Sequence, residues 1–132
     1  MLTGGCRCGA VRYQADVDNV ERHGLCHCED CRRSSGAPAV AWLAVPKEAF
    51  AVTQGEARRF DGRGGTERYF CGDCGTGLYF FNDAALPGIA DIQSATLDNA
   101  ADYPPAVQIQ CADRLPYMEN LAALPAFERW PG

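Results

Sequence analysis

The chain lacks any apolar run long enough to cross a membrane. Its longest apolar stretch covers residues 37–45, whereas a transmembrane helix needs about 20 apolar residues. The N-terminal residues also lack the charged start followed by an apolar run that marks a signal peptide. We therefore expect no membrane partner and a soluble, cytoplasmic protein whose thiols stay reduced.

A basic face is also missing. The 12 lysines and arginines are outnumbered by 17 aspartates and glutamates, which gives a formal net charge of −5, and the arginines are scattered along the chain. A nucleic-acid-binding surface needs clustered cations that neutralise phosphates. We therefore expect no nucleic-acid partner.

The sequence contains no internal repeat, no linker and no low-complexity tract. A chain of 132 residues has the usual size of one domain, and a domain of this size buries roughly two-thirds of its extended-chain surface. We therefore expect residues 1–132 to form a single domain that holds a hydrophobic core without disulfides.

Short stretches of alternating or continuous apolar residues predict a mainly β fold. Turn signals separate them, beginning with Gly4-Gly5. The pattern predicts one helical turn over residues 28–33 and strands over residues 11–15, 38–45, 67–70, 78–81, 89–92 and 106–110. The expected fold is a mainly antiparallel β domain with few short helices and with its cysteines at strand ends and turns.

What the chain does have is cysteine, at eight positions. Seven of them form an early pair, a middle triplet and a late pair, which are Cys6 and Cys8; Cys26, Cys28 and Cys31; and Cys71 and Cys74. Cysteines this close in sequence rarely reach the geometry of an unstrained disulfide, but thiolates on a turn can converge on one ion at about 2.3 Å. The pattern predicts two zinc ions, one of them short of a protein ligand.

Spacing alone leaves two pairings open. A zinc ribbon would join Cys28 and Cys31 of the middle triplet to the late pair. In the other pairing, the early and late pairs form a closed site, and the middle triplet holds a second ion with one open position. Four cysteines are typical of structural zinc, whereas three protein ligands and an open position are typical of catalytic zinc.

The residues around the cysteines resemble the signature blocks of the glutathione-dependent formaldehyde-activating family. These blocks are GGCRCGAVRY at residues 4–13, CHCEDCRR at 26–33 and FCGDCGT at 70–76, with Thr96-Leu97-Asp98, Pro104 and Ile109 resembling later blocks. The likeness covers roughly residues 4 to 118. It implies a single zinc-binding domain of coiled antiparallel sheets around the cysteine turns. It also implies structural zinc at Cys6, Cys8, Cys71 and Cys74, and a labile or catalytic zinc at Cys26, Cys28 and Cys31.

The resemblance implies a carbon–sulfur lyase that works in reverse and joins formaldehyde to glutathione as S-(hydroxymethyl)glutathione. Glutathione or another small thiol and a small aldehyde are the expected partners. Cys26, Cys28 and Cys31 are then the candidate catalytic residues, either as ligands of the open zinc or as released nucleophiles. Arg33, Ser34 and Ser35 are the candidate substrate-binding residues. The alternative is a non-catalytic glutathione-binding or zinc-structured interaction module.

Residues near the cysteine groups have simpler interpretations as well. Five arginines lie close to a cysteine group and could donate hydrogen bonds to sulfur or attract an anionic ligand. Each of them taken alone is interpreted as a solvated surface residue. They are Arg7, Arg12, Arg32, Arg33 and Arg68. His27 is expected to be exposed or to support the neighbouring ligands. Cys111, which matches no ligand position, is expected to be a small buried hydrophobic residue.

Overall fold

A computed structural model describes all 132 residues and shows a mainly β architecture. The ten strands are β1 (Leu2–Gly5), β2 (Arg12–Ala15), β3 (Arg22–Cys26), β4 (Val40–Pro46), β5 (Phe50–Gln54), β6 (Arg58–Asp61), β7 (Glu67–Phe70), β8 (Gly77–Asn82), β9 (Leu86–Gln93) and β10 (Val107–Ile109). One α-helix, α1 (Glu29–Ser35), follows β3. The predicted mainly β fold with few short helices is confirmed.

Short 3-10 helices make most of the remaining connections. They are Val17–Asn19, Lys47–Ala49, Arg63–Gly65, Ser94–Thr96, Ala100–Asp102, Cys111–Asp113, Pro116–Glu119 and Leu121–Ala123. None of the helices has the length and apolar character needed to span a bilayer.

The strands form two sheets that share one core. The smaller sheet has the order β1-β2-β5 and the larger has the order β10-β3-β4-β9-β8-β7-β6. Every neighbouring pair is antiparallel except β10 and β3, which run parallel. Tyr13 of the smaller sheet and Leu43, Leu78 and Ile92 of the larger are almost fully buried in the same cluster. Each such aliphatic side chain contributes about 1.5–3 kcal/mol through burial.

All six predicted strands coincide with observed ones to within a few residues, and the predicted helical turn lies at the start of α1. β1, β3, β5 and β6 were not predicted. β6 is the edge of the larger sheet and all four of its residues are exposed. An edge strand without a buried face has no alternation of apolar and polar residues for sequence analysis to detect.

Gly4 and Gly5 were predicted to form a turn, and that prediction is wrong because they end β1. A Cβ atom on Gly4 would lie 2.4 Å from Tyr13 Oη and 2.7 Å from the Thr96 carbonyl oxygen. The glycine therefore permits a close approach between β1, the adjacent strand β2 and the turn after β9. The close contact of Gly4 with Tyr13 and Thr96 positions β1, the strand that leads into Cys6.

Gly4→Ala is expected to destabilise the protein by about 1–3 kcal/mol, because the added methyl must displace a buried tyrosine and a backbone carbonyl. Gly24→Ala is the matched control, since a Cβ there would make only ordinary contacts of 3.5 Å and longer with Ile109. Urea denaturation of both variants measures the difference. Equal losses for the two glycines would show that the contact at Gly4 relaxes freely.

Candidate metal centres and adjoining cavities

The early and late cysteine pairs meet in one cluster. Cys6 and Cys8 lie in the loop between β1 and β2, and Cys71 and Cys74 lie in the turn between β7 and β8. Their four sulfur atoms are within 4.8 Å of one another. The cluster therefore ties the smaller sheet to the larger one, and the zinc-ribbon pairing of the late pair with Cys28 and Cys31 is not formed.

The donor set of this cluster fits a tetrahedral zinc ion. Sulfur atoms about 2.3 Å from a common zinc lie roughly 3.8 Å from one another. The Cys6–Cys8 and Cys8–Cys71 sulfur separations are 3.6 and 3.7 Å, far longer than the roughly 2.05 Å of a disulfide. All eight cysteines are free thiols. The four thiols could hold one metal ion with no position left open.

Hydrogen bonds orient the sulfurs of this cluster. The Val11 backbone N–H donates to Cys6 Sγ at 3.2 Å, and Thr76 Oγ1 lies 3.2 Å from Cys74 Sγ. The hydrogen bond with the Thr76 hydroxyl lowers the pKa of Cys74 to about 5. The exposed thiol is thereby biased toward the deprotonated form that metal binding requires.

The middle triplet forms a second, separate cluster. The sulfurs of Cys26, Cys28 and Cys31 lie within 4.8 Å of one another where β3 ends and α1 begins. Cys28 is the N-cap of α1, and its Sγ accepts a hydrogen bond from the Cys31 backbone N–H at 3.2 Å. Since the group supplies three ligands, a tetrahedral ion held there would keep one position free for a further ligand.

Arg68 on β7 reaches the second cluster from across the larger sheet. Its Nη2 donates to Asp30 Oδ2 at 2.7 Å and lies 3.7 Å from Cys31 Sγ. Hydrogen bonding from Cys26, with smaller contributions from Cys28 and Arg68, lowers the pKa of Cys31 to about 5. The Arg68 side chain is only 14% exposed, so its interpretation as a solvated surface residue is wrong.

Two cavities adjoin the second cluster. The smaller has a volume of about 240 Å³ and is lined by Cys26, Cys28 and Cys31. The larger has a volume of about 760 Å³ and is lined in part by Arg33, Ser34 and Ser35. Asp30, Trp42 and Arg68 line both cavities. Arg68 thus stands at the junction between a thiol-lined cavity and a larger one.

The candidate substrate-binding residues lie on the larger cavity and not on the smaller one. Arg33 Nε donates to Glu29 Oε1 at 3.0 Å, and its side chain is 74% exposed. The Ser34 and Ser35 hydroxyls donate to the Cys31 carbonyl oxygen within α1. Arg33 therefore remains accessible to a ligand, while the serine hydroxyls retain only acceptor capacity.

Sequence analysis missed two charged residues on the smaller cavity, Arg22 and Asp91. Asp91 follows Ile89-Ala90 and precedes Ile92 in a strand that has no other charged residue. A lone carboxylate in such a stretch was the available signal, because an acid facing the core is costly unless it is paired. Arg22 carried no comparable signal in the sequence.

The structure contradicts the prediction for Cys111 and decides between the two alternatives for His27. Cys111 is exposed in the 3-10 helix Cys111–Asp113 and is not a buried hydrophobic residue. His27 is 1% exposed rather than solvent-facing, and its Nε2–H donates to Gln108 Oε1 at 2.8 Å. Its backbone N–H donates to the Ile109 carbonyl oxygen at 3.0 Å. The hydrogen bonds of His27 thus join β10 to the end of β3 and position the segment that carries Cys26 and Cys28.

A family model described as glutathione-dependent formaldehyde-activating enzyme matches residues 1–113. An uncharacterized lyase of Schizosaccharomyces pombe is 31% identical over 77 residues, which cover 58% of this chain and 55% of that protein. A putative glutathione-dependent formaldehyde-activating enzyme of Halomonas elongata is 26% identical over 114 residues, which cover 80% and 71% of the two chains. The chain thus spans about half the length of the Schizosaccharomyces relative.

Among solved structures, the crystal structure of a Rhodobacter sphaeroides protein is similar to this chain with a TM-score of 0.65. The two sequences are 21% identical, and the superposition covers 80% of this chain and 98% of that one. This similarity shows a shared fold.

Proposed function

This chain belongs to the glutathione-dependent formaldehyde-activating enzyme family, and from that premise we propose that it joins a glutathione thiol to formaldehyde or a related small electrophile. The reaction is that of a carbon–sulfur lyase in reverse. The observation that carries the proposal is the cluster of three cysteines on the wall of a cavity. A tetrahedral ion bound by these three sulfurs would have one position left for a substrate. We also propose that residues 1–132 act as one zinc-binding domain.

The two cysteine clusters have different proposed tasks. Cys6, Cys8, Cys71 and Cys74 hold a structural zinc, and Cys26, Cys28 and Cys31 hold a labile or catalytic one. Zinc at the triplet would favour the thiolate form of a bound thiol and polarise a carbonyl oxygen. Hydrogen bonding from Cys26 lowers the pKa of Cys31 to about 5, which suits this sulfur to bind a cation near neutral pH. The pKa of Cys26 is raised by its hydrogen bond with Cys31, and that of Cys28 by burial, so a bound cation would displace the protons of these two thiols.

The protein's own residues would bind the tripeptide. The larger cavity of about 760 Å³ can enclose a molecule of glutathione's size. Arg33 and Arg68 offer guanidinium groups to its two carboxylates, while Ser34 and Ser35 line the same wall. Trp42 and Phe80 place two aromatic rings on the wall of the smaller cavity, beside the thiols.

Exchange spectroscopy by NMR tests this function, because it measures the interconversion of glutathione, formaldehyde and their adduct at equilibrium. We expect the zinc-loaded protein to raise the exchange rate above the uncatalysed rate in proportion to its concentration. The matched control is the same protein after removal of the labile metal. Rates equal to background, with metal verified at both clusters, would contradict the enzyme and favour the glutathione-binding module.

A further inference from the structure

Asp91 presents a buried carboxyl group to the same cavity as the cysteine triplet. It lies near the middle of β9, where it pairs with Ala44 of β4 on one side and Phe80 of β8 on the other. The residue is only 4% exposed, and it lines the smaller cavity together with Cys26, Cys28 and Cys31. The strand register therefore holds its carboxyl group toward the cavity from the centre of the larger sheet.

The hydrogen bonding of this carboxyl group is incomplete. Asp91 Oδ2 contacts only Arg22 Nη2, at 3.5 Å, and Asp91 Oδ1 has no partner. Arg22 Nε is also without a partner. A buried polar atom left without a hydrogen bond costs about 1–3 kcal/mol, so native structures rarely keep one without a purpose. A ligand hydroxyl or carbonyl in the smaller cavity would supply the missing bond.

The surroundings raise the pKa of this carboxyl group. Trp42, Phe80 and Ile109 line the cavity beside it, and burial raises the pKa of Asp91, opposed by the nearby Arg22. Asp30 is the other carboxylate on the cavity, and it is already engaged by Arg68. Asp91 is therefore the buried acidic residue next to the triplet, and one of its carboxyl oxygens has no partner.

We propose that Asp91 binds the aldehyde oxygen and supplies the proton that this oxygen gains when the adduct forms. The proposal rests on the function given above and assigns one further catalytic residue to it. The thiol sulfur forms a bond to the carbonyl carbon, the π electron pair moves to oxygen, and the Asp91 carboxyl group protonates that oxygen. The proton lost by the thiol returns to the Asp91 carboxylate through solvent, so the carboxyl group is regenerated.

A purely structural role is the rival interpretation, in which Asp91 only neutralises the partly buried Arg22. The two roles differ in what happens when both charges are removed. A counter-ion becomes dispensable once its partner is gone, whereas a proton donor does not. Arg22→Gln combined with Asp91→Asn therefore separates them, and it leaves no unpaired charge that could unfold the protein.

The experiment compares exchange rates for wild type, Asp91→Asn, Arg22→Gln/Asp91→Asn and the control Asp83→Asn. Asp83 is an exposed carboxylate paired with Lys47. We expect Asp91→Asn and the double variant to lose about 10²-fold or more in turnover, the usual contribution of a general acid. Glutathione affinity, measured by calorimetry, and the activity of Asp83→Asn should stay within about twofold of wild type.

Full activity in the double variant would overturn the assignment, because it would show that Asp91 only balances Arg22. Wild-type turnover in Asp91→Asn would overturn it as well while leaving the proposed function intact. A wild-type protein that does not accelerate the exchange would overturn both. An Asp91→Asn protein that loses glutathione affinity without loss of turnover would make Asp91 a binding residue, contrary to the proposal.

Discussion

Cys71→Ser is expected to unfold the protein under conditions in which the wild type is stable. Cys71 is 1% exposed, and its sulfur lies 3.7 Å from that of Cys8, on the opposite side of the junction between the two sheets. Structural zinc sites in small peptides contribute apparent free energies of about 10–16 kcal/mol, which are folding free energies when the site forms only in the folded state. Losing one of four ligands removes a large part of that stabilisation.

Circular dichroism and zinc analysis measure the outcome. We expect about two equivalents of zinc in the wild type and, in Cys71→Ser, a loss of the cooperative thermal transition. Cys111→Ser is the matched control, because Cys111 is exposed and belongs to neither cluster; its stability should stay within about 0.5 kcal/mol of wild type. A Cys71→Ser protein that melts normally with both metals bound would contradict the closed four-cysteine site.

Cys28→Ser is expected to leave the protein folded and to abolish its acceleration of the thiol–aldehyde exchange. The Cys28 sulfur caps α1 by accepting from the Cys31 N–H, and a serine hydroxyl accepts the same bond at an N-cap. The substitution therefore removes a metal ligand without removing the cap. We expect the closed site to keep its zinc while the triplet loses its own, and the exchange rate to fall to the uncatalysed value.

Three measurements on Cys28→Ser separate these effects: its melting temperature, its zinc content and its exchange rate, each set beside Cys111→Ser. A melting loss as large as that of Cys71→Ser would mean that Cys28 belongs to the structural site. Normal turnover with one zinc equivalent would show instead that the reaction does not need the metal at the triplet.

The sequence predicted the clustered cysteines of the candidate site, but it did not predict which residues from other strands lie beside them. The cysteine spacing identified the seven clustered thiols, but spacing could not choose between two pairings, because the choice depends on which turns the sheets bring together. Arg68 illustrates the same limit, since it lies 37 positions from Cys31 in the chain and contacts it across the larger sheet. Contacts of this kind follow from strand order, which no local pattern encodes.

Local patterns predicted six strands but missed others, including β1 and β3, which both have buried residues. β7 was predicted at its observed bounds, whereas β6, which pairs with it at the exposed edge, was missed. Gly4 was misjudged for a different reason. One of its neighbours, Thr96, lies 92 positions away in the chain, and a close approach cannot be distinguished from a turn by glycine content alone.

The cluster that joins the two sheets also has a consequence for how the chain folds. Cys8 and Cys71 are 63 positions apart, and a covalent cross-link closing a loop of that length would remove about 4 kcal/mol of chain entropy from the unfolded state. A metal ion bound by both cysteine pairs would provide a comparable restraint while the thiols remain reduced, but only when the ion is present. Both the metal-free and the metal-bound chain must close this loop by diffusion, so the supply of the metal would govern how stable the closed topology is once it has formed.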